Sequence, residues 1–195
     1  MELSACKQIF GLKDSSNIYL KFIQEYEVIS LFTIEKYSHT VKESLQRSSE
    51  ELIQQIRKTL DFNYYDQVDL LDYTAFIQPY EISIVMYSMD RNANEVFYHG
   101  SESNIFAGSY DLMEDVEYFN LPDDEEDEFW AFYEQHEEEI SKIETQIMVD
   151  WFKDCWKQAG GERVKLPSYF SFHDDDHCFD LKNNQWMTDG DKWLN

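Results

Sequence analysis

The stretch YFSFHDDDHCFDL, residues 169–181, decides how the end of this chain folds. Its middle, His173 to Cys178, packs two histidines, three aspartates and a cysteine into six residues and invites a metal or catalytic reading. The flanks argue for something plainer. If a loop is centred on Asp175 and Asp176, Phe172 faces Phe179 and Phe170 faces Leu181, so two apolar cross-strand pairs share one face. His173 then opposes Cys178 on the other face, and an odd-numbered loop would break the arrangement. Aspartates suit such a tip because their side chains hydrogen-bond to nearby backbone. The stretch therefore predicts a β-hairpin with strands at 168–173 and 177–182, burying Phe170, Phe172, Phe179 and Leu181 and exposing Asp174, Asp175 and Asp176.

The metal reading asks for more than is present. Zinc needs a tetrahedral set of N or S ligands, and His173, His177 and Cys178 offer an incomplete one from a single turn. A calcium loop needs D-x-[DN]-x-[DN]-G with a distant glutamate, but His177, Cys178 and Phe179 follow Asp176. No metal and no cofactor is expected.

Upstream of the hairpin lies the clearest helix. Phe129, Tyr133, His136, Ile140, Ile143, Ile147, Trp151, Cys155 and Ala159 recur at steps of three or four. Asp123, Asp124, Glu125 and Glu126 stand where a helix N-terminus favours negative charge, and Gly160-Gly161 where its C-terminus needs a left-handed cap. A helix over 123–159 would be roughly 50 Å long at ~1.5 Å per residue, which calls for a bend or a projecting end. Nearer the N-terminus, helix is expected at 15–27, and Ile34, Tyr37, Val41, Leu45, Leu52, Ile56 and Leu60 mark another over 34–61. Ser48 and Glu51 have the spacing of a capping box, so a break is expected between them. Residues 66–76 read as a short helix, giving a helical region over 15–76. After Pro79, EISIVMYSM (81–89), the turn formers at 90–94 and Glu95 to His99 read as a hairpin within 80–99. Residues 109–121 read as a strand or an irregular lead to Pro122. The fold class is thus α+β: long amphipathic helices against a small, mainly antiparallel sheet, in one domain spanning 1–195.

Charge narrows the partners. Sixteen Lys and Arg against forty Asp and Glu leave a net charge of −24. That field opposes direct nucleic-acid binding and anionic membrane surfaces, and it favours a basic protein partner. The N-terminus shows no signal-peptide core, no apolar run is long enough for a bilayer, and the three cysteines form no CxxC pair, so the chain reads as cytoplasmic with buried thiols. His136-Glu137-Glu138-Glu139-Ile140 misses the helical HExxH zinc motif at its last position, and nucleophile-elbow, P-loop and dinucleotide fingerprints are missing. Forty acids guarantee some pair at glycosidase spacing, which makes that signal worthless.

The informative cluster is LPDDEEDEFW, 121–130. From Asp111 to Glu144 stand fifteen acids and one base, Lys142, a net −14. Helix-dipole pairing accounts for Asp123 to Glu126, but Glu134, Glu137, Glu138 and Glu139 are largely without cations at i+4. The expectation is a non-catalytic binding protein whose acidic surface blocks a basic partner, as bacterial immunity and antitoxin proteins do to nuclease-like toxins. Its site would comprise Asp123, Asp124, Glu125, Glu126, Asp127, Glu134, Glu137 and Glu138, with Trp130 and Phe132 as apolar anchors. The alternatives are a hydrolase or metal-dependent domain using His173 and His177, and a structural subunit docking through the 123–159 helix.

Overall fold

The computed structural model describes residues 32–78 and 80–194, and the fold below is that of the unit Ile34–Asn195. The helix expected at 15–27 lies outside the described residues. The class is α+β: among the described residues, three α-helices accompany a six-stranded, mainly antiparallel sheet.

Helices α1 (Ile34–Arg47) and α2 (Ser49–Leu60) bury Tyr37, Val41, Leu45, Leu52 and Ile56, the stripe that the sequence marks. The break falls where expected, but the capping box does not form. Ser48 keeps a near-helical backbone, φ −90° and ψ 0°, and its side chain caps nothing. The serine that matters is Ser49, which is buried and accepts the indole N–H of Trp151 at 2.9 Å. A small side chain at the break lets a large one dock there.

Strands β1 (Asn63–Tyr64) and β4 (Ile105–Phe106) form a parallel pair of their own. The main sheet runs β5 (Ser109–Glu117), β3 (Glu81–Met89), β2 (Leu70–Gln78), β6 (Ser168–Phe172), β7 (His177–Asp180), β8 (Gln185–Thr188). Only β2–β6 is parallel. The helix expected over 66–76 is corrected: these residues enter β2, a central strand whose Leu70, Leu71, Asp72 and Tyr73 are all buried. A strand covered on both faces loses its alternation and looks like a buried helical turn.

The hairpin expected within 80–99 is half right. The turn at 90–94 forms, with the Asp90 carboxylate accepting from the N–H of Asn92 (2.8 Å) and of Asn94 (2.9 Å). Its return strand does not form beyond a single Met89–Glu95 bridge. The place beside β3 belongs to β5, and β3 makes its hairpin with β2 instead. The C-terminal hairpin is present, with Phe170 opposite Phe179 and Ser171 opposite Cys178, two residues out of the expected register. His173 gives its N–H to Ala75 O, continuing along β2 rather than across the hairpin, and Asp174 adopts a left-handed φ of 67°. Phe170, Phe179 and Leu181 are buried and Phe172 only partly, while Asp174 to Asp176 are exposed.

After a 3-10 turn at Asp123–Glu125, α3 runs Glu126–Ala159 and ends on Gly160 at φ 90°. Its one irregularity is His136 (φ −122°, ψ 15°), where the helix kinks. Before the kink it buries a single side. Beyond it Met148, Val149, Trp151, Phe152 and Trp156 are all buried, because α3 is enclosed there. Phe152 stacks on Phe170 (centroids 4.3 Å apart) and meets Tyr73, while Trp151 and Cys155 meet α2 at Ser49. The 3-10 turn Asp189–Trp193 covers one end of the opposite sheet face, over Leu70, Tyr169 and Cys178.

Candidate functional site

The acids expected to meet a partner stand on the first half of α3 and the turn before it. Asp124, Glu126, Asp127, Glu134, Glu137 and Glu138 are exposed and Glu125 is partly so, with Asp123 opening the 3-10 turn. Trp130 is 38% exposed, and its indole N–H points to the Glu126 carboxylate at 3.4 Å. Phe132 is corrected as an anchor: it is buried, and its ring packs near Phe129 and Tyr37. Glu138 is also less alone than its neighbours. Lys142 donates to it at 2.6 Å and holds its carboxyl below the usual range. Further along α3, Ile147, Met148, Val149, Trp151, Phe152, Cys155 and Trp156 are core, so the continuous exposed acidic stretch lies before Ile140.

Behind these acids lies a feature that the sequence reading missed. Glu144, three turns along α3 from Tyr133, is turned into the fold. Its Oε1 accepts a short hydrogen bond from the Tyr37 hydroxyl and its Oε2 one from Tyr133 at 3.4 Å. Tyr118 and Tyr80 complete the surroundings. Burial raises the Glu144 pKa, while the two tyrosine hydrogen bonds pull it back. Burial and the nearby carboxylate together push Tyr133 up to about 12 and drive Tyr37 and Tyr118 up as well. Tyr37, Ile77, Gln78, Tyr80, Tyr118, Trp130, Tyr133 and Glu144 line a cavity of about 210 Å³. No lysine, arginine or histidine stands among its described lining residues. One signal was legible: Glu144 falls on the apolar stripe between Ile140 and Ile147, where a solvated acid has no business.

Tyr80 reaches the cavity from the β2–β3 turn with a left-handed backbone, φ 70°. For a bulky side chain this conformation costs about 1–2 kcal/mol, and such strain gathers at sites. The Tyr80 carbonyl accepts the Tyr118 N–H at 2.7 Å, and its ring lies against Phe119, Phe129 and Trp130. Its hydroxyl is buried and makes no hydrogen bond within the described protein.

The HDDDHC loop borders the same region. Ile77, Tyr133 and Glu144 also line a second cavity, of about 520 Å³, whose far wall is Phe172 to His177 and whose near wall is Ser141, Thr145 and Met148 of α3. Within the loop the polar groups serve one another: His173 Nδ1 lies 3.0 Å from Asp174 and His177 Nδ1 3.5 Å from Asp175, which also accepts the His177 N–H. Among the described residues no three His, Cys, Asp or Glu side chains converge as on a metal ion. Cys155 and Cys178 are free and buried, and burial raises their thiols to about 11 and about 12, far from the thiolate that nucleophilic chemistry needs. Among the described residues no helix is long and apolar enough to cross a membrane.

The arrangement presents negative charge outside, on α3, and a carboxylate among aromatic faces just behind it. Both attract positive charge. Comparisons with protein-family models, with curated proteins and with solved structures find no match for this chain.

Proposed function

We propose that the chain is a non-catalytic acidic binding protein that blocks or sequesters a basic protein, as a bacterial immunity or antitoxin protein sequesters a nuclease-like toxin in the cytoplasm. One observation supports this reading above the others: Asp124, Asp127, Glu134 and Glu137 are exposed on one segment beside the half-exposed Trp130, and the one base between Asp111 and Glu144 in the sequence, Lys142, is already paired with Glu138. Like charges at such spacing repel, and an opposing basic surface relieves the repulsion.

Association with a basic partner is then fast and salt-sensitive. The screening length is about 8 Å at ~0.15 M ionic strength, so added salt slows association more than it hastens release. The test is to capture basic proteins from host lysate and to measure both rate constants for the tightest. Replacing Glu134, Glu137 and Glu138 by Gln should lower kon, and Trp130→Ala should raise koff. An affinity indifferent to salt and to these changes leaves the acidic face as plain solvation.

A further inference from the structure

We infer that the cavity around Glu144 is a receptor for one alkylammonium group, the head of a lysine side chain. In its biological setting that lysine belongs to the basic partner, so this part of the inference rests on the reading above. The pocket itself stands on its own geometry.

Size comes first. Cavities for drug-sized ligands run from about 300 to 1,000 Å³. At about 210 Å³ this one suits a single long side chain. Its chemistry is cationic by complement. Tyr37 and Tyr133 give their hydroxyl protons to Glu144, so their oxygen lone pairs are free to accept. The Tyr80 hydroxyl is buried and lacks a described protein partner. Trp130 and the tyrosines supply ring faces, which attract a cation electrostatically. A hard metal ion would demand several oxygen ligands, and one carboxylate among aromatic rings does not supply them. A guanidinium favours parallel bonds to both carboxylate oxygens, and the tyrosine hydroxyls already take one acceptor position on each, which makes a point-like ammonium the less demanding fit. An ammonium needs only one oxygen of the pair, plus hydroxyl acceptors and rings around its stem.

The position agrees with the chemistry. Trp130 belongs both to the cavity wall and to the exposed acidic segment. A lysine drawn in by the acids of α3 thus finds the cavity beside them. The strained Tyr80 backbone fits the same picture, since it holds an aromatic wall in place before any ligand arrives.

The test titrates the full chain with n-butylammonium, the lysine side chain without its backbone, and follows the tyrosine ring resonances by NMR. The expected result is saturable shifts at Tyr80, Tyr118 and Tyr133, with none from n-butanol or from KCl at matched ionic strength. Glu144→Gln should weaken binding by about tenfold to a hundredfold, since a hydrogen bond to a charged group is worth about 1.5–3 kcal/mol. Tyr133→Phe, a milder change, should weaken it less and keeps the test decisive if the first variant unfolds. Nα-acetyl-lysine-N-methylamide should bind at least as well as the bare amine; if only the bare amine binds, the ligand is a free amine and the lysine assignment fails. Non-saturable shifts, or equal shifts with n-butanol, overturn the pocket. The Glu134/Glu137/Glu138→Gln variant should bind the amine normally. Partner affinity unchanged in that variant, with saturable amine binding intact, therefore sinks the acidic-surface reading alone. Partner affinity lowered in that variant, with no saturable amine binding by the parent, sinks the cavity alone.

Discussion

Lys192 Nζ donates to Asp72 Oδ2 at 2.6 Å, and both side chains are buried. The lysine comes from the last 3-10 turn and the aspartate from the middle of β2, with Ser171 donating to the other Asp72 oxygen at 2.9 Å and Asp189 taking a second Lys192 hydrogen bond. Burial pulls the ammonium down, but the two facing carboxylates outweigh it and keep the lysine above its ordinary value. Removing one partner of such a pair strands a buried charge. Lys192→Ala should cost about 3–5 kcal/mol in urea unfolding. Replacing both, Lys192→Met with Asp72→Leu, should cost clearly less than the two single changes added together. Strict additivity would show that the pair does not act as a unit.

The two phenylalanines of β6 should behave differently. Phe170 is fully buried and stacked on Phe152, so Phe170→Ala should cost about 3–5 kcal/mol. Phe172 is only partly buried at the cavity edge and should cost less. Asp175→Ala, which removes one turn hydrogen bond, should cost only about 1 kcal/mol. Equal losses for all three in chemical denaturation would contradict the placement of the hairpin.

Gly160 and Gly161 end α3 for different reasons. Gly160 needs its left-handed backbone, and a Cβ there would meet only the flexible end of Arg163. Gly160→Ala should therefore cost about 1–2 kcal/mol, the price of the conformation. A Cβ on Gly161 would lie 2.2 Å from the ring of Trp156, which is fully buried. That ring has nowhere to go, so Gly161→Ala should lower the melting temperature further than Gly160→Ala. The reverse order would mean that Trp156 can move.

Glu144 makes stability depend on pH with a definite sign. Its pKa is raised in the folded protein by burial. Between the unfolded carboxyl value, about 4.3, and the raised folded value, the native state holds more protons, so stability falls as pH rises through this window. Glu144→Gln removes this dependence. The variant should gain on the parent as pH rises above the unfolded carboxyl value of about 4.3. Parallel stability curves for the two proteins would mean that Glu144 titrates as a solvated acid.

These residues also show what sequence can and cannot reveal. Helix α3 was legible because three independent signals agree: acids at the start, a stripe from Phe129 to Ala159, and Gly160 at the stop. The faces of the last hairpin were legible and its register was not, because a slip of two residues leaves every side chain on its own face. Strand β2 was hidden by its double burial. The outer acids could be read directly from 123–139. Of their inner companion only the place of Glu144 on the apolar stripe was legible; Tyr37, Tyr80, Tyr118 and Tyr133 lie far apart in the chain, and only folding brings them to it.

The one parallel pairing within the six-stranded sheet, β2 with β6, bears on the order of assembly. Strands β2, β3 and β5 follow one another closely along the chain, as do β6, β7 and β8, so each trio can zip through nearby contacts. The seam between them joins Leu71 to Ser168 and Ala75 to Phe172, across the whole of α3. Closing so long a loop is entropically slow, and such non-local pairings set the pace of folding. The Lys192–Asp72 bond crosses the same seam. It can act only once the two halves have met, so it works as a latch that slows opening rather than a nucleus that speeds closure.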